Sequence, residues 1–275
     1  MWNISQKSFL SIHFGSISRE TEDAVDRLSS GFDAVARSLA SLVEAKRAFM
    51  RGLTQQLLTG RKRFPECERS SVRQLGEVGT VPADWTVFQI GDIARQISTR
   101  GASNAAVVYS CSKHDGLVPS LEYFGRQVFS RDLAGYKCLE VGDFVYATNH
   151  IEEGSIGLLR NGQSPGVASP MYTVFRPAEQ VNPEFLFALL KTESYRRVFA
   201  SRTNASVNRR GSLRWKEFSR IKVGLPSREE QDRIAKTLRL LDLEIGQLAT
   251  LSQLVEVQRR VLVDRLISGS IPAPA

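Results

Sequence analysis

The sequence has 275 residues, of which 42% are hydrophobic and 24% charged, and its formal net charge is +8. No apolar run approaches the roughly 20 residues that span a membrane. The first residues also lack the basic start and apolar block of a signal peptide, so a cytoplasmic protein is predicted. Cys111 and His114 have no second ligand pair at metal-binding spacing, so no metal site is predicted.

The first predicted elements are a short strand and a long helix. Residues 1–17 form an apolar segment that is predicted to be the remnant of a strand. A long helix is predicted to follow, since Ser18 can cap its first turn and Gly60 stands where a helix ends. Apolar residues recur along it in steps of three and four, which is typical of a coiled-coil seam. The predicted seam residues are Val25, Leu28, Phe32, Val35, Leu39, Leu42, Lys46, Phe49, Leu53 and Leu57.

The middle of the chain changes to short segments of mixed pattern, which predict a single α/β domain. From about Val81 to Leu225, strand-length apolar runs are separated by Gly, Pro, Asn and Ser. The stretch from Trp85 to Ile97 predicts a strand that runs into a short helix. A further helix is predicted up to Ala200, with Asn182 as its N-cap and a proline at its first position.

The last part of the chain repeats the first. Residues from Phe218 onward align with those from Phe9 onward without a gap, so that Ser18 falls on Ser227. A second long helix is therefore predicted after Ser227. Its predicted seam residues are Ile234, Leu238, Leu241, Ile245, Leu248, Ser252, Val255, Arg259, Leu262 and Leu266. The two helices are predicted to pair with each other; the alternative is two amphipathic helices packed on separate cores.

A basic stretch runs from Arg196 to Lys222, where nine basic residues accompany one acid, Glu217. Clustered positive charge favours a polyanion such as nucleic acid, and the alternative is a solvated face. Asn and Ser side chains in the same stretch suit base edges or phosphates. The candidate nucleic-acid ligands in this stretch are Arg202, Asn208, Arg209, Arg210, Arg214 and Lys216.

Two further predicted turns carry Ser112 with Lys113, and Asn149 with His150. Polar side chains on loops that a rigid sheet holds suit base-edge contacts, although Lys113 and Asn149 are equally common as turn residues. Catalytic signatures are scarce, since the sequence has no Gly-rich phosphate loop and no nucleophile elbow. A binding protein is therefore predicted, and an enzyme with an unrecognised site is the alternative.

Stretches such as FSRIKVG and RGLTQQLLTGRKRFP resemble one family, the specificity subunits of type I restriction and modification systems. The runs FSRIKVG and LPSREEQDRIAKTLRLLDLEI resemble the start of that family's helical spacer, and RGLTQQLLTGRKRFP resembles its end. The segments VPADWTVFQIGDI, SRDLAGYKCLEVGDFVY, GSIG and SPMYTVF, with the turn at Cys111–Gly116, are similar to successive parts of its target recognition domain. The resemblance covers nearly the whole chain, in the order of the family.

The resemblance implies a non-catalytic subunit that reads DNA, in which two long antiparallel helices hold two recognition domains apart. This chain has two such helices and one such domain. The expected fold is α+β, with one α/β target recognition domain inserted between two long helices that pair as an antiparallel coiled coil. The expected boundaries are 1–65 for the strand remnant and first helix, 66–225 for the recognition domain, and 226–275 for the second helix.

The resemblance also implies partners. Double-stranded DNA, methyltransferase subunits that carry S-adenosylmethionine, and restriction subunits are expected, and no cofactor is expected in this chain. Reading of one DNA half-site is expected; the alternative is a truncated or regulatory copy that binds the methyltransferase without reading DNA. Apolar residues of the first strand, such as Trp2 and Phe9, predict a homodimer. The residues expected to contact the methyltransferase are Arg37, Glu44, Arg47, Gln247 and Gln253.

Overall fold

The computed structural model describes residues 18–67, 71–101, 106–204 and 211–272. The strand predicted over residues 1–17 lies outside these ranges, as do Asn208, Arg209 and Arg210. The chain divides into two compact units, a smaller one of residues 1–50 and 241–275 and a larger one of residues 51–240. Both divisions fall inside long helices, so each of these helices contributes residues to both units.

The regular elements of the described ranges follow in chain order. The helices are α1 (Arg19–Leu58), α2 (Ile90–Ile93), α3 (Ser120–Phe124), α4 (Pro183–Leu190), α5 (Glu193–Asn204), α6 (Trp215–Phe218) and α7 (Arg228–Ile267). The strands are β1 (Val72–Gln74), β2 (Thr80–Pro82), β3 (Thr86–Gln89), β4 (Ala94–Ile97), β5 (Val107–Ser112), β6 (Gly116–Pro119), β7 (Lys137–Leu139), β8 (Phe144–Ala147), β9 (Ile156–Leu158), β10 (Gly166–Ala168), β11 (Tyr172–Pro177) and β12 (Lys222–Leu225). Short 3-10 helices lie at Gly76–Val78 and Ile151–Glu153.

The ends of α1 and α7 are capped as the sequence predicts. Ser18 Oγ accepts a hydrogen bond from the N–H of Thr21 at 3.2 Å, and Ser227 Oγ accepts one from the N–H of Glu230 at 3.3 Å. These bonds satisfy amide groups that a helix start leaves unpaired. Gly60 follows the last turn of α1 with a φ of 67°, a left-handed conformation that favours glycine. Among the described residues, no helix is long and apolar enough to cross a membrane.

In the smaller unit, α1 and α7 pair in antiparallel orientation. Lys46 Nζ lies 2.8 Å from a carboxylate oxygen of Glu244, and Arg259 Nε lies 3.7 Å from one of Asp33. Residue numbers therefore rise along one helix as they fall along the other. The predicted antiparallel coiled coil is confirmed, and Lys46 and Arg259, two polar breaks in the predicted seam, are the residues that pair across it.

The seam of α7 is the predicted one, but that of α1 differs at three positions. Val35, Leu42 and Phe49 were expected inside, yet they are 50%, 42% and 58% exposed. At each of these three positions, the residue that follows in the sequence lies on the inner side of the helix instead. Val43, which follows Leu42, is 6% exposed. At each of these turns the sequence has two apolar residues in succession, so hydrophobicity alone cannot distinguish the two registers. The prediction of Val35, Leu42 and Phe49 as seam residues was wrong.

Two four-stranded sheets form the centre of the larger unit. One has the order β6–β5–β10–β7, with β10 parallel to β5, and the other has the antiparallel order β4–β11–β8–β9. The predicted run from strand to helix between Trp85 and Ile97 is confirmed as β3 and α2, followed by β4. Aromatic side chains fill the core, where the rings of Phe144 and Phe175 stack at 4.7 Å and Phe218 is fully buried.

The helix predicted up to Ala200 is two helices. Asn182 caps α4 as predicted, since its Oδ1 accepts a hydrogen bond from the N–H of Phe185 at 2.9 Å. The hydroxyl of Thr192 then donates back to the carbonyl of Leu189 at 2.7 Å, and the carbonyl of Thr192 accepts the first bond of α5. A threonine that bonds locally to the backbone competes with helix continuation. Lys191 lies at the resulting junction.

Candidate nucleic-acid interface

The first turn of the candidate interface, residues 112–116, connects β5 to β6. Ser112 Oγ accepts hydrogen bonds from the N–H groups of His114 and Asp115, at 3.3 and 3.2 Å. Tyr123 on α3 donates its hydroxyl to Asp115 at 2.7 Å, and this bond is the main reason that the pKa of Asp115 is lowered. The Ser112 hydroxyl is thus occupied within the turn, whereas Lys113 and His114 are exposed.

The second turn, residues 148–154, follows β8 and touches the first. His150 Nδ1 lies 3.2 Å from a carboxylate oxygen of Glu153, and the other oxygen of Glu153 pairs with Lys113 Nζ of the first turn. The hydrogen bond from Lys113 is the main reason that the pKa of Glu153 is lowered. Lys113 and His150, which the sequence separates by 37 positions, therefore share one carboxylate. Asn149 stands two residues after the end of β8 and directly before His150, and it is exposed.

Lys191, at the α4–α5 junction, joins the two turns. Its Nζ donates to the carbonyl of Lys113 at 3.1 Å and to the carbonyl of Gly154 at 2.8 Å. Gly154 has a φ of 97° at the end of the second turn, and a Cβ there would lie 3.3 Å from the Lys113 carbonyl oxygen. Burial of the Lys191 ammonium lowers its pKa. A half-buried cation that bridges two carbonyls fixes the relative position of the turns.

The third segment, residues 211–216, follows the central part of the predicted basic loop. The N–H of Leu213 donates to the carbonyl of Thr148 at 2.7 Å, and the Leu213 side chain is fully buried. This anchor brings the exposed Arg214 and Lys216 beside the second turn. Among the described residues, neither side chain has an ion-pair partner. The structure thus brings together Ser112, Lys113, Asn149, His150, Arg214 and Lys216 from three separate parts of the sequence.

Two other basic residues of the stretch from Arg196 to Lys222 lie in different places. Arg196 on α5 donates its Nε to the carbonyl of Glu152, in the second turn, at 3.1 Å. Arg202 lies six residues further along α5 and pairs with Glu77 at 3.4 Å, so it does not join the three segments. The stretch that the sequence presents as one basic cluster is therefore divided by the fold.

The chemistry available in the three segments is hydrogen bonding and positive charge. Lysine, arginine, histidine and asparagine side chains are exposed on turns whose backbone is held by two sheets and by Lys191. Such groups contact phosphates and base edges. Cys111, in β5 directly before the first turn, is half-buried, and desolvation raises the pKa of its thiol to about 12, so it is held in its protonated, unreactive form.

Sequence reasoning missed Lys191, Tyr123 and Glu153, the residues that position the turns. No local pattern identifies them, since Lys191 is 78 positions away from its partner Lys113. Glu153 stands three residues after His150, outside the predicted turn, and nothing in its sequence neighbourhood points to Lys113 as its partner. Contacts of this kind become visible only when the fold is known.

The residues expected to contact a methyltransferase lie on the surface of the smaller unit. All five are exposed, and Glu44 pairs with Arg47 at 2.9 Å; they are Arg37, Glu44, Arg47, Gln247 and Gln253.

Sequence reasoning missed a second feature of the same helices. Val35, Leu42 and Phe49, here called the outer stripe, expose apolar side chains on α1 at intervals of seven residues, and α7 exposes others such as Leu254.

Comparison with known proteins gives a consistent match. The family described as "Type I restriction modification DNA specificity domain" matches residues 82–256. The chain is 28% identical over 184 residues to the HindI specificity subunit of Haemophilus influenzae. The aligned stretch covers 63% of this chain and 39% of that protein. It is 22% identical over 280 residues to the MjaVIII specificity subunit of Methanocaldococcus jannaschii, covering 98% of this chain and 64% of that protein.

Solved structures share the fold. The HsdS subunit from Thermoanaerobacter tengcongensis matches with a TM-score of 0.53 and 13% identity, over 92% of this chain and 59% of that one. The S subunit from M. genitalium matches with a TM-score of 0.51 and 17% identity, over 94% and 62%. This chain thus spans less than two thirds of each relative. The relatives are named as specificity subunits, and the prediction of a protein that is not an enzyme is confirmed. Because the family match covers more than half of the chain, from β2 into α7, the protein belongs to the type I restriction-modification DNA specificity family.

Proposed function

We propose that this chain reads one half-site of a bipartite DNA sequence for a type I restriction-modification complex. The observation that carries the proposal is the meeting of the first turn, the second turn and the third segment at one place in the larger unit. Lys113, His150 and Arg214 come from segments that are far apart in sequence. The bond between Leu213 and Thr148 joins the third segment to the second turn, and Lys191 bridges the first turn to the second.

The division of labour follows from the exposed groups. Lysine and arginine side chains such as Arg214 and Lys216 suit phosphates, which position a duplex without reading its sequence. Asn149, Lys113 and His150 offer donors and acceptors from turns, the groups that read base edges in the major groove. Ser112 is a weaker candidate reader than the sequence suggests, because its hydroxyl already serves the first turn.

The smaller unit is proposed to dock the methyltransferase, which carries S-adenosylmethionine. The polar residues predicted for this contact are exposed there, and the outer stripe adds apolar area of the kind that protein interfaces bury. The same proposal includes three further parts: assembly of two copies of the chain, contact with restriction subunits, and a cytoplasmic location. Light scattering on the purified chain, alone and with the methyltransferase, tests the copy number; one copy per assembly contradicts the dimer.

Methylome sequencing tests the proposed function directly. Cells that carry this gene with its methyltransferase gene are expected to show one methylated motif. Lys113→Ala and Asn149→Ala are each expected to change that motif, because loss of one base contact costs about 1–3 kcal/mol of discrimination. Lys62→Ala removes an exposed lysine of the same unit and is the control, with an unchanged motif expected. Capture of the methyltransferase without any methylated motif would favour the regulatory copy instead.

A further inference from the structure

A second positively charged feature of the larger unit is an open cavity of about 210 Å³ beside α5. Its floor is apolar and comes from Leu75, Val198 and Ile221, which are at most 2% exposed. Its rim is formed by four charged residues, Arg202, Arg220, Lys222 and Glu77. None of the lining residues belongs to the three segments of the candidate interface.

The rim carries more positive charge than its neighbours neutralise. Three cations face two carboxylates, Glu77 on the rim and the neighbouring Glu217, and Arg202 and Glu77 are 3.4 Å apart with Glu77 58% exposed. Arg220 reaches Glu217 only at 3.5 Å and is itself 58% exposed. Lys222 is exposed and has no ion-pair partner among the described residues. Exposed ion pairs of this length contribute little, so an incoming anion can replace them.

The shape and chemistry together define the ligand class. Arginine and lysine are the side chains that bind phosphate, arginine through two parallel N–H donors. The apolar floor suits a carbon-rich group attached to that phosphate. Pockets for drug-sized ligands measure roughly 300–1,000 Å³, so a cavity of about 210 Å³ has room for a sugar and a phosphate rather than for a dinucleotide.

We infer that this cavity binds one sugar–phosphate unit of the DNA backbone, with the deoxyribose on the apolar floor and the phosphate at Arg220 and Lys222. The inference rests on the proposed function and adds a positioning site outside the turns that read bases. Both sites adjoin α5. Arg196 contacts the second turn and Arg202 lines the cavity, six residues or about 9 Å further along the helix axis. The two sites therefore lie at one helix, as contact with a single duplex requires.

The experiment compares Arg220→Ala/Lys222→Ala with a control that removes the same charge elsewhere. The control is Lys236→Ala/Arg239→Ala, two exposed residues of α7 that do not line the cavity. DNA affinity is measured by fluorescence anisotropy against salt concentration, with the methylated motif and with an unrelated duplex. The cavity variant is expected to reduce the slope of log affinity against log salt by about 0.9, the value for one phosphate. Its affinity is expected to fall by the same factor on both duplexes, while the control matches the wild type.

Unchanged affinity and slope in a folded cavity variant would overturn the inference. A second arm measures the melting temperature with deoxyribose 5-phosphate and with inorganic phosphate. Stabilisation of the wild type but not of the cavity variant by the sugar phosphate supports the site. If that stabilisation occurs while the variant binds DNA normally, the cavity serves a free phosphate ester and the assignment to DNA is wrong. If the wild type itself binds no duplex, the proposed function fails, and the inference about DNA fails with it whatever the sugar phosphate does.

Discussion

At the scale of single residues, the candidate interface depends on side chains that need not touch DNA. Lys191 donates to one carbonyl of each turn, and Tyr123 holds Asp115, so the exposed Lys113 and His150 project from fixed positions. Readout of a base edge requires donors and acceptors within a few tenths of an ångström of their ideal places. The positioning residues therefore affect specificity, whereas the charged residues set the overall affinity.

Lys191→Met tests this distinction. The substitution keeps an unbranched side chain of similar length but removes the donors to the carbonyls of Lys113 and Gly154. Affinity for the methylated motif is expected to fall about tenfold relative to an unrelated duplex, a change of about 1.4 kcal/mol, and the methylated motif should become degenerate. Anisotropy titrations on both duplexes measure the ratio.

Lys236→Met is the matched control for Lys191→Met, because it removes the same charge from an exposed position on α7. Its ratio of specific to unspecific affinity should equal that of the wild type. Equal losses on the two duplexes in Lys191→Met would show that Lys191 acts only as a charge, and unchanged values would show that the bridge does not matter for binding.

The sequence was sufficient to propose Lys113, His150 and Arg214 as ligands, because each stands in a polar turn or a basic loop that is visible locally. It was not sufficient to show which of them meet. The division of the basic stretch, with Arg214 beside the second turn and Arg202 in a separate cavity, depends on how α5 is oriented between them. That orientation follows from long-range packing, which no local pattern encodes.

At the scale of elements, helix boundaries followed from the sequence because their signals are local. Ser18, Asn182 and Ser227 act as caps through hydrogen bonds to residues three positions away. The break at Thr192 was missed because apolar residues continue on both sides of it. Along α1, the succession of two apolar residues at three turns left the register of the seam undetermined, and only packing against α7 selects the second of each pair.

The register of the seam gives a prediction with an internal control. Val43 is 6% exposed and its neighbour Leu42 is 42% exposed. Val43→Ala removes two buried carbon groups and should lower the free energy of unfolding by about 2 kcal/mol. Leu42→Ala removes a larger side chain but should cost less than about 1 kcal/mol, since surface substitutions have small effects. Urea denaturation of both variants measures the difference.

The two substitutions at Val43 and Leu42 discriminate between the registers because they predict opposite orders. A seam that ran through Val35, Leu42 and Phe49, as the sequence alone suggested, would make Leu42→Ala the more damaging change. The m-value should stay the same in both variants, because neither changes the surface that unfolding exposes. A larger loss for Leu42→Ala would contradict the arrangement described for the smaller unit.

At the scale of the whole molecule, the two units offer different kinds of surface. The larger unit presents charged and hydrogen-bonding groups on turns, whereas the smaller unit presents the outer stripe and the apolar residues of α7, such as Leu254 and Val257, which are 55% and 53% exposed. Exposed apolar residues that recur along a helix mark an interaction surface. DNA contact and subunit docking are therefore expected to be separable by mutation.

Leu42→Glu/Phe49→Glu places two charges on the outer stripe and tests the separation. Docking of the methyltransferase should weaken at least a hundredfold, because each charge must be desolvated in an apolar contact, and the change should be measured by calorimetry with the purified subunit. DNA affinity of the isolated chain should fall little, since the three segments lie in the larger unit. Val72→Glu, on β1 at 69% exposure, is the control for adding a charge at an exposed apolar position, and it should leave docking intact. Normal capture of the methyltransferase by the double variant would assign docking to the polar residues such as Arg37 and Gln247 alone, and the outer stripe would then have no part in it.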